Sequence, residues 1–267
     1  MLSKLFASQP VLEEQSISWI FDVYAWALQQ FDADIFFNET ILVAPTNEYF
    51  PGEQTSVTGM AELIFSQVQN YAHLQHWQCT VVDHSQFTPP DLNQLALPSR
   101  TIKTTQVSNE AQSSVLSIPY DPQMVANPEA LISSYAHILA QYLGSQATES
   151  PPGGSENWLM VTELLGVFLG FGLMYANSAT TAPSSCSSCS AGLATRPSFV
   201  SQYDLTYALA VFSVVKEIPE KKVSRHLKKS LKGFLKSAIK DVKSRSKEIE
   251  KLQALRNQAI LPNAKTA

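Results

Sequence analysis

The chain has 267 residues, of which 45% are hydrophobic and 16% are charged, and its formal net charge is −4. This composition is typical of a soluble globular protein, and the length allows one large domain or two small ones. Three cysteines exclude a disulfide scaffold and fit a reducing compartment.

The small net charge hides a marked asymmetry. Residues 221–251 contain 12 Lys and Arg against three acids, a net charge of +9, which leaves −13 for the rest of the chain. We expect this basic segment to dock on the acidic body of the protein itself. Contact with nucleic acid or with an anionic membrane is the alternative.

The N-terminal sequence MLSKLFASQPVLEEQ has a lysine but no apolar core of the about 7 to 15 residues that a secretory signal needs. We therefore expect a cytoplasmic protein. We find no P-loop, dinucleotide-binding glycine pattern or GxSxG elbow, so these classes of enzyme are not indicated.

Helical and strand patterns alternate in the first part of the chain. Residues 11–30 and 58–74 carry apolar side chains at helical spacing. Short apolar runs bounded by turn residues predict strands. The predicted strands are residues 40–44, 77–83 and 114–118, with 101–107 as a possible edge strand.

Helices dominate the second part. Asn127 followed by Pro128 predicts a helix start, and the helix continues to Leu143. Residues 156–179 form an almost entirely apolar helix, and residues 198–217 form another buried one. A last long helix starts near Val223, with an apolar stripe facing the core and lysines facing water.

The segregation of strands and helices predicts an α+β fold, with a small N-terminal sheet and a mostly helical C-terminal half. We divide the chain into an α/β part at residues 1–125 and a helical part at 126–258, packed as one compact domain. Residues 259–267 are expected to be a disordered tail.

Four short motifs follow one another along residues 118–215. They are IPYDP at 118–122, AHILAQ at 136–141, TELLGVFLGFGLMYAN at 162–177 and FVSQYDLTYALAVF at 199–212. In this order they resemble a group of bacterial zincin-like proteins of the HExxH type. Those proteins have an IxYxP strand end, an AHELAH-like helix, a TDLLxVFxGxGxxxAN-like helix and an AYALAxF helix. The resemblance implies a zincin-like fold.

The resemblance also implies which residues would hold a metal. His137 matches the first metal ligand, and Glu163 matches the carboxylate ligand. The general base and the second histidine of the HExxH motif are replaced by Ile138 and Gln141. Isoleucine cannot accept a proton, and one histidine with one carboxylate falls short of the three protein ligands of catalytic zinc.

We therefore expect a catalytically inactive zincin-like protein with a structural or partner-binding role and no cofactor. His137 and Glu163 are each the lone ionisable group on an apolar helical stretch, and we expect them to contact each other. The alternative is a metal-dependent hydrolase with a non-standard site, in which an N-terminal histidine joins these two and zinc is bound.

A membrane-associated protein is a further alternative. The apolar run at residues 158–176 approaches the about 20 residues of a membrane span and carries a Gly166–Gly170 pair that allows helices to approach closely. Glu163 lies inside this run, and the uninterrupted apolar part is short. These features favour a buried helix of a soluble protein.

Other candidates carry weaker signals. Cys186 and Cys189 form a C-x-x-C motif, which we interpret as an inert loop because a second pair of ligands is missing. His73, His76 and His84 surround the second predicted strand and are interpreted as surface or capping residues. Gln141, Glu48 and Tyr49 are candidates for binding a ligand; the latter two lie in a polar loop near Glu39 and Asn47.

Overall fold

A computed structural model describes residues 11–100, 115–179 and 198–258 of the chain. The helices before the centre of the chain are α1 (Glu14–Gln30), α2 (Ala33–Asn38), α3 (Val57–Tyr71) and α4 (Pro128–Gly144). Those after it are α5 (Trp158–Gly166), α6 (Gly172–Ser178), α7 (Gln202–Val215), α8 (Glu220–Ser224), α9 (Lys229–Ser244) and α10 (Ser246–Gln258). Within these residues the fold is mostly helical.

Two short strands, β1 (Cys79–Asp83) and β2 (Leu116–Tyr120), form the sheet of the described chain. They pair in parallel, with Val81 opposite Ile118. A helix-rich fold with one small sheet is consistent with the predicted α+β class. The predicted edge strand at residues 101–107 and the predicted tail at 259–267 lie outside the described residues.

One hydrophobic core includes residues from both predicted parts of the chain, for example Ile20 of α1 and Leu139 of α4. The division at residue 125 stays a prediction. The predicted start of α4 is confirmed: the side chain of Asn127 accepts a hydrogen bond from the backbone N–H of Ala130 at 3.4 Å, and Pro128 takes the first helical position.

The prediction of a strand at residues 40–44 is wrong. Leu42, Val43 and Ala44 are buried, but the backbone N–H of Val43 donates to the carbonyl of Gly170 at 3.0 Å and not to a neighbouring strand. The short apolar run reflects burial beside a helix, which alone does not distinguish a strand from an extended segment.

The expected continuous helix at 156–179 is interrupted. Helices α5 and α6 are separated by a π-helical stretch, Val167–Phe171, in which Gly170 has φ of 100°. A Cβ atom on Gly170 would lie 2.2 Å from the carbonyl oxygen of Ile41, so only glycine fits. Gly166 has an ordinary helical backbone, but its Cβ would lie 2.2 Å from the hydroxyl of Tyr175, which would have to move. Both glycines therefore serve close packing within the chain.

The segment Ser155–Ser178 is long and apolar enough to cross a membrane, yet 89% of its most apolar window is buried inside the protein. Helices α4 and α7 pack directly on it. This packing is that of a central core helix.

The prediction of a single long C-terminal helix from Val223 is also wrong. The chain turns twice in this region and forms α8, α9 and α10. At the first turn the side chain of Asn177 accepts from the N–H of Lys228 and donates to the carbonyl of His226, both at 2.9 Å. These bonds satisfy backbone groups that a continuous helix would have paired internally. At the second turn Arg245 bonds Asp241 and Glu14.

Candidate functional site

The carboxylate of Glu163 is completely buried on α5. Its Oε2 atom accepts a hydrogen bond from the backbone N–H of Val200 at 2.9 Å and another from the hydroxyl of Ser198 at 2.8 Å, whose single hydrogen is shared with the carbonyl of Val200 at 2.7 Å. Ser198 and Val200 lie just before α7, 35 and 37 positions further along the chain. A buried carboxyl group is costly unless it is hydrogen-bonded, and these two donors offset that cost.

His137 lies on α4 and is half-buried. Its ring stacks on Phe199, with the ring centroids 6.5 Å apart and the planes inclined by 23°. Phe199 lies between the two residues that bond Glu163. The segment 198–200 therefore contacts both predicted ligands: its ring lies on His137, and its flanking residues bond Glu163. The direct contact between His137 and Glu163 stays a prediction.

The two replaced motif positions lie on the same continuous helix. Ile138 packs against the hydrophobic core, and Gln141 is half-buried one turn after His137. Because α4 is regular from Pro128 to Gly144, positions 137 and 141 share a helix face, as metal-binding histidines four residues apart would. Any regular helix places residues four apart in this way, so the relation of α4 to an HExxH helix stays a prediction.

Tyr49 belongs to a packing cluster on α3. Its carbonyl accepts from the hydroxyl of Tyr71 at 3.0 Å, and the two rings lie 5.8 Å apart. Burial, together with nearby Tyr49 and Glu48, raises the pKa of Tyr71. The side chain of Glu48 is exposed. These contacts give Tyr49 a packing role, and a ligand-binding role for either residue stays a prediction.

The three N-terminal histidines have separate surroundings. His73 lies 3.4 Å from Glu39, and burial, with Arg100 nearby, lowers its pKa. His76 packs on Trp77, and His84 lies 3.5 Å from Asp83 on the surface. In the part of the chain that the structure covers, no group of three or more His, Cys, Asp or Glu side chains could hold a metal ion. Cys186 and Cys189 lie outside that part.

Sequence reasoning missed a buried cation, Arg100. Its guanidinium donates to the carbonyls of Ala72 and Phe31 and to the hydroxyl of Thr40, at 3.2 to 3.4 Å. Burial lowers its pKa to about 10, against the opposing effect of Asp32 and Glu39. A lone arginine in an irregular polar segment has no periodic signal, so its burial could not be inferred from the sequence.

The partners of Glu163 were missed for a different reason. A backbone N–H such as that of Val200 has no sequence signature, and a serine beside a Ser-rich loop does not stand out. The one signal in the sequence that pointed to these partners was the position of Ser198 and Val200 just before the AYALAxF-like helix.

Comparison with known proteins adds no relative: no protein-family profile, curated protein or solved structure matches the chain significantly.

Proposed function

We propose that this protein is a catalytically inactive zincin-like protein of the cytoplasm, with a structural or partner-binding role. The hydrogen bonding of Glu163 carries the proposal. In a working site this carboxylate would face a metal ion, whereas here Ser198 and Val200 both donate to its Oε2 atom. The residues that follow the apolar helix thus supply the favourable contacts that a cation would otherwise provide.

The helix α4 supports the same proposal from the opposite side of the site. Metal-assisted hydrolysis needs a base beside the bound water, and Ile138 carries no group that can take a proton. Gln141 is a neutral and weak ligand compared with imidazole. Phe199 packs against His137, with the ring centroids 6.5 Å apart, so the imidazole has an aromatic neighbour in the fold.

The replacement of the base and second ligand positions by Ile138 and Gln141 favours a role in which the fold itself is used. The core around α5 and α6 is dense, with Leu164, Leu165 and Phe168 almost fully buried. Such a core makes a rigid scaffold, and binding functions are commonly carried on the surface of rigid scaffolds.

The proposal is tested by the metal content of the purified protein. We expect no stoichiometric zinc after purification in buffer that contains zinc, and no change on His137→Ala. One zinc ion per chain that is lost on His137→Ala would overturn the proposal. His84→Ala is the matched control, because His84 is an exposed histidine outside the candidate site.

A further inference from the structure

Helix α9 carries a straight stripe of lysines on its exposed face. Lys229, Lys232, Lys236, Lys240 and Lys243 follow one another at spacings of three or four residues, and all five are exposed. With 3.6 residues per turn, they lie within about 80° of the helix circumference and extend over about 21 Å. We call these five residues the lysine stripe.

The opposite face of α9 is apolar and attaches the helix to the rest of the protein. Leu231, Leu235, Ala238 and Val242 are buried, and α9 packs on α7. The docking of α9 is therefore achieved by its apolar residues, while Arg245 and Lys251, further along the basic segment, pair with Glu14 and Asp22 of α1. The lysine stripe faces solvent, as the sequence predicted, and takes no part in the docking.

Within residues 11–100, 115–179 and 198–258, the positive charges of the stripe have no acidic partner. The acid on this helix, Asp241, is engaged by the hydroxyl of Tyr207 and by Arg245. Like charges three or four residues apart destabilise a helix, and the stripe contains four such pairs in succession. An external anionic partner would relieve this repulsion.

The surroundings of the stripe favour a flat partner. Ser230, Gly233 and Ser237 are the other exposed residues on this side of α9, so no bulky side chain stands above the lysines. Tyr203, 45% exposed, packs on Phe234 at 5.0 Å between ring centroids, on a flank of α9 about 120° around the helix from the nearest lysine of the stripe.

The choice of lysine also bears on the partner. Arginine is preferred where single phosphates or bases are read by paired hydrogen bonds, whereas lysine acts as a mobile point charge. Arg245, at the end of α9, bonds Glu14 and Asp241 and is thereby withdrawn from the surface. Clusters of lysine on an amphipathic helix are typical of attraction to anionic lipid. We propose that the lysine stripe of α9 binds the surface of an anionic lipid bilayer.

The charge distribution of the whole chain is suited to this orientation. Residues 221–251 carry +9 and the remainder of the chain carries −13, so an anionic surface attracts the basic segment and repels the acidic residues elsewhere. Binding would be peripheral and dependent on salt, because exposed charges are screened over about 10 Å at 0.1 M ionic strength.

The test is co-sedimentation of the full chain with vesicles of phosphatidylcholine, with and without phosphatidylserine. We expect binding only to vesicles that contain phosphatidylserine, and its loss when salt is raised from about 0.1 M to about 0.5 M. Replacing Lys232, Lys236 and Lys240 by glutamine should lower the partition coefficient on the order of 100-fold.

A matched control has the same change in net charge away from the stripe: Lys221, Lys222 and Lys247, all exposed on α8 and α10, replaced by glutamine. This control should retain most of the binding. Equal loss in the two triple variants, equal binding to both kinds of vesicle, or no binding to either would overturn the proposal. Retention by an oligonucleotide without binding to phosphatidylserine would also overturn it and assign the stripe to nucleic acid.

Discussion

Val200 donates its backbone N–H to the buried carboxylate of Glu163 at 2.9 Å, and this bond fixes the entry of α7 against the middle of α5. The hydroxyl of Ser198 adds a second donor to the same oxygen. Glu163 is therefore a structural acceptor in this fold, whatever else it contacts.

Removing this acceptor should destabilise the protein. Glu163→Ala leaves the N–H of Val200 buried without its acceptor, and we expect a loss of about 3 kcal/mol in the free energy of unfolding. Glu163→Gln retains an oxygen that can accept from Val200 and should cost about 1 kcal/mol. Urea denaturation measures both. Equal stability of the alanine variant and the wild type would show that these hydrogen bonds contribute nothing.

The left-handed conformation of Gly170 predicts a strong effect of a single methyl group. Gly170→Ala should lower stability by about 2 to 4 kcal/mol, because φ is positive and the new Cβ would collide with the carbonyl of Ile41. Gly233→Ala is the matched control: a Cβ there meets nothing within 4 Å on an exposed helix, and we expect a gain of about 0.5 to 1 kcal/mol. Thermal unfolding measures the melting temperature of each variant. A shift of both melting temperatures in the same direction would contradict the account.

The turn between α8 and α9 depends on Asn177. Its amide donates to Glu129 and to the carbonyl of His226, and its oxygen accepts from the N–H of Lys228. Asn177→Ala should cost about 2 to 3 kcal/mol, since the carbonyl of His226 and the N–H of Lys228 lose their partner. Amide hydrogen exchange provides the check, with faster exchange expected at Lys228 and unchanged exchange in α1. Unchanged exchange at Lys228 would contradict the capping role.

Buried tyrosines predict loss of stability at alkaline pH. Burial raises the pKa of Tyr24, Tyr135 and Tyr142 above the ordinary 10.0, to about 12 for Tyr142. A pKa that is higher in the folded state gives stability that is complete below pH 10 and is lost as the pH rises toward 12. Absorbance of tyrosinate should therefore rise in two steps, with the second step accompanied by loss of helical circular dichroism. A single step near pH 10 with the fold intact would contradict this expectation.

Local signals in the sequence were sufficient for several elements. The Asn127–Pro128 pair fixed the start of α4, and the apolar runs around Val81 and Ile118 predicted the two strands. Their parallel pairing could not be predicted, because pairing depends on contacts between distant segments. Helix α2 was missed for its shortness, since six residues carry too little periodicity to be recognised.

The errors arose where tertiary contacts overrode a local pattern. The apolar helix is interrupted at Gly170, where the backbone of Ile41 approaches it closely. The basic segment turns at residues 225–228, where the side chain of Asn177 bonds the exposed backbone. In the candidate site, the roles of His137 and Glu163 were predicted from the motif order and stay predictions. The contribution of residues 198–200 could not be predicted, since it rests on a backbone N–H and on a ring brought in by the fold.

The most direct measurement is a calorimetric titration of zinc into the wild type and into the double variant Ile138→Glu, Gln141→His. The account predicts no binding to the wild type and binding of one zinc ion to the double variant, lost again on His137→Ala. This result is expected because α4 already presents positions 137 and 141 on one face. Tight binding by the wild type would contradict the inactive site, and a folded double variant that binds no zinc would contradict the zincin-like geometry.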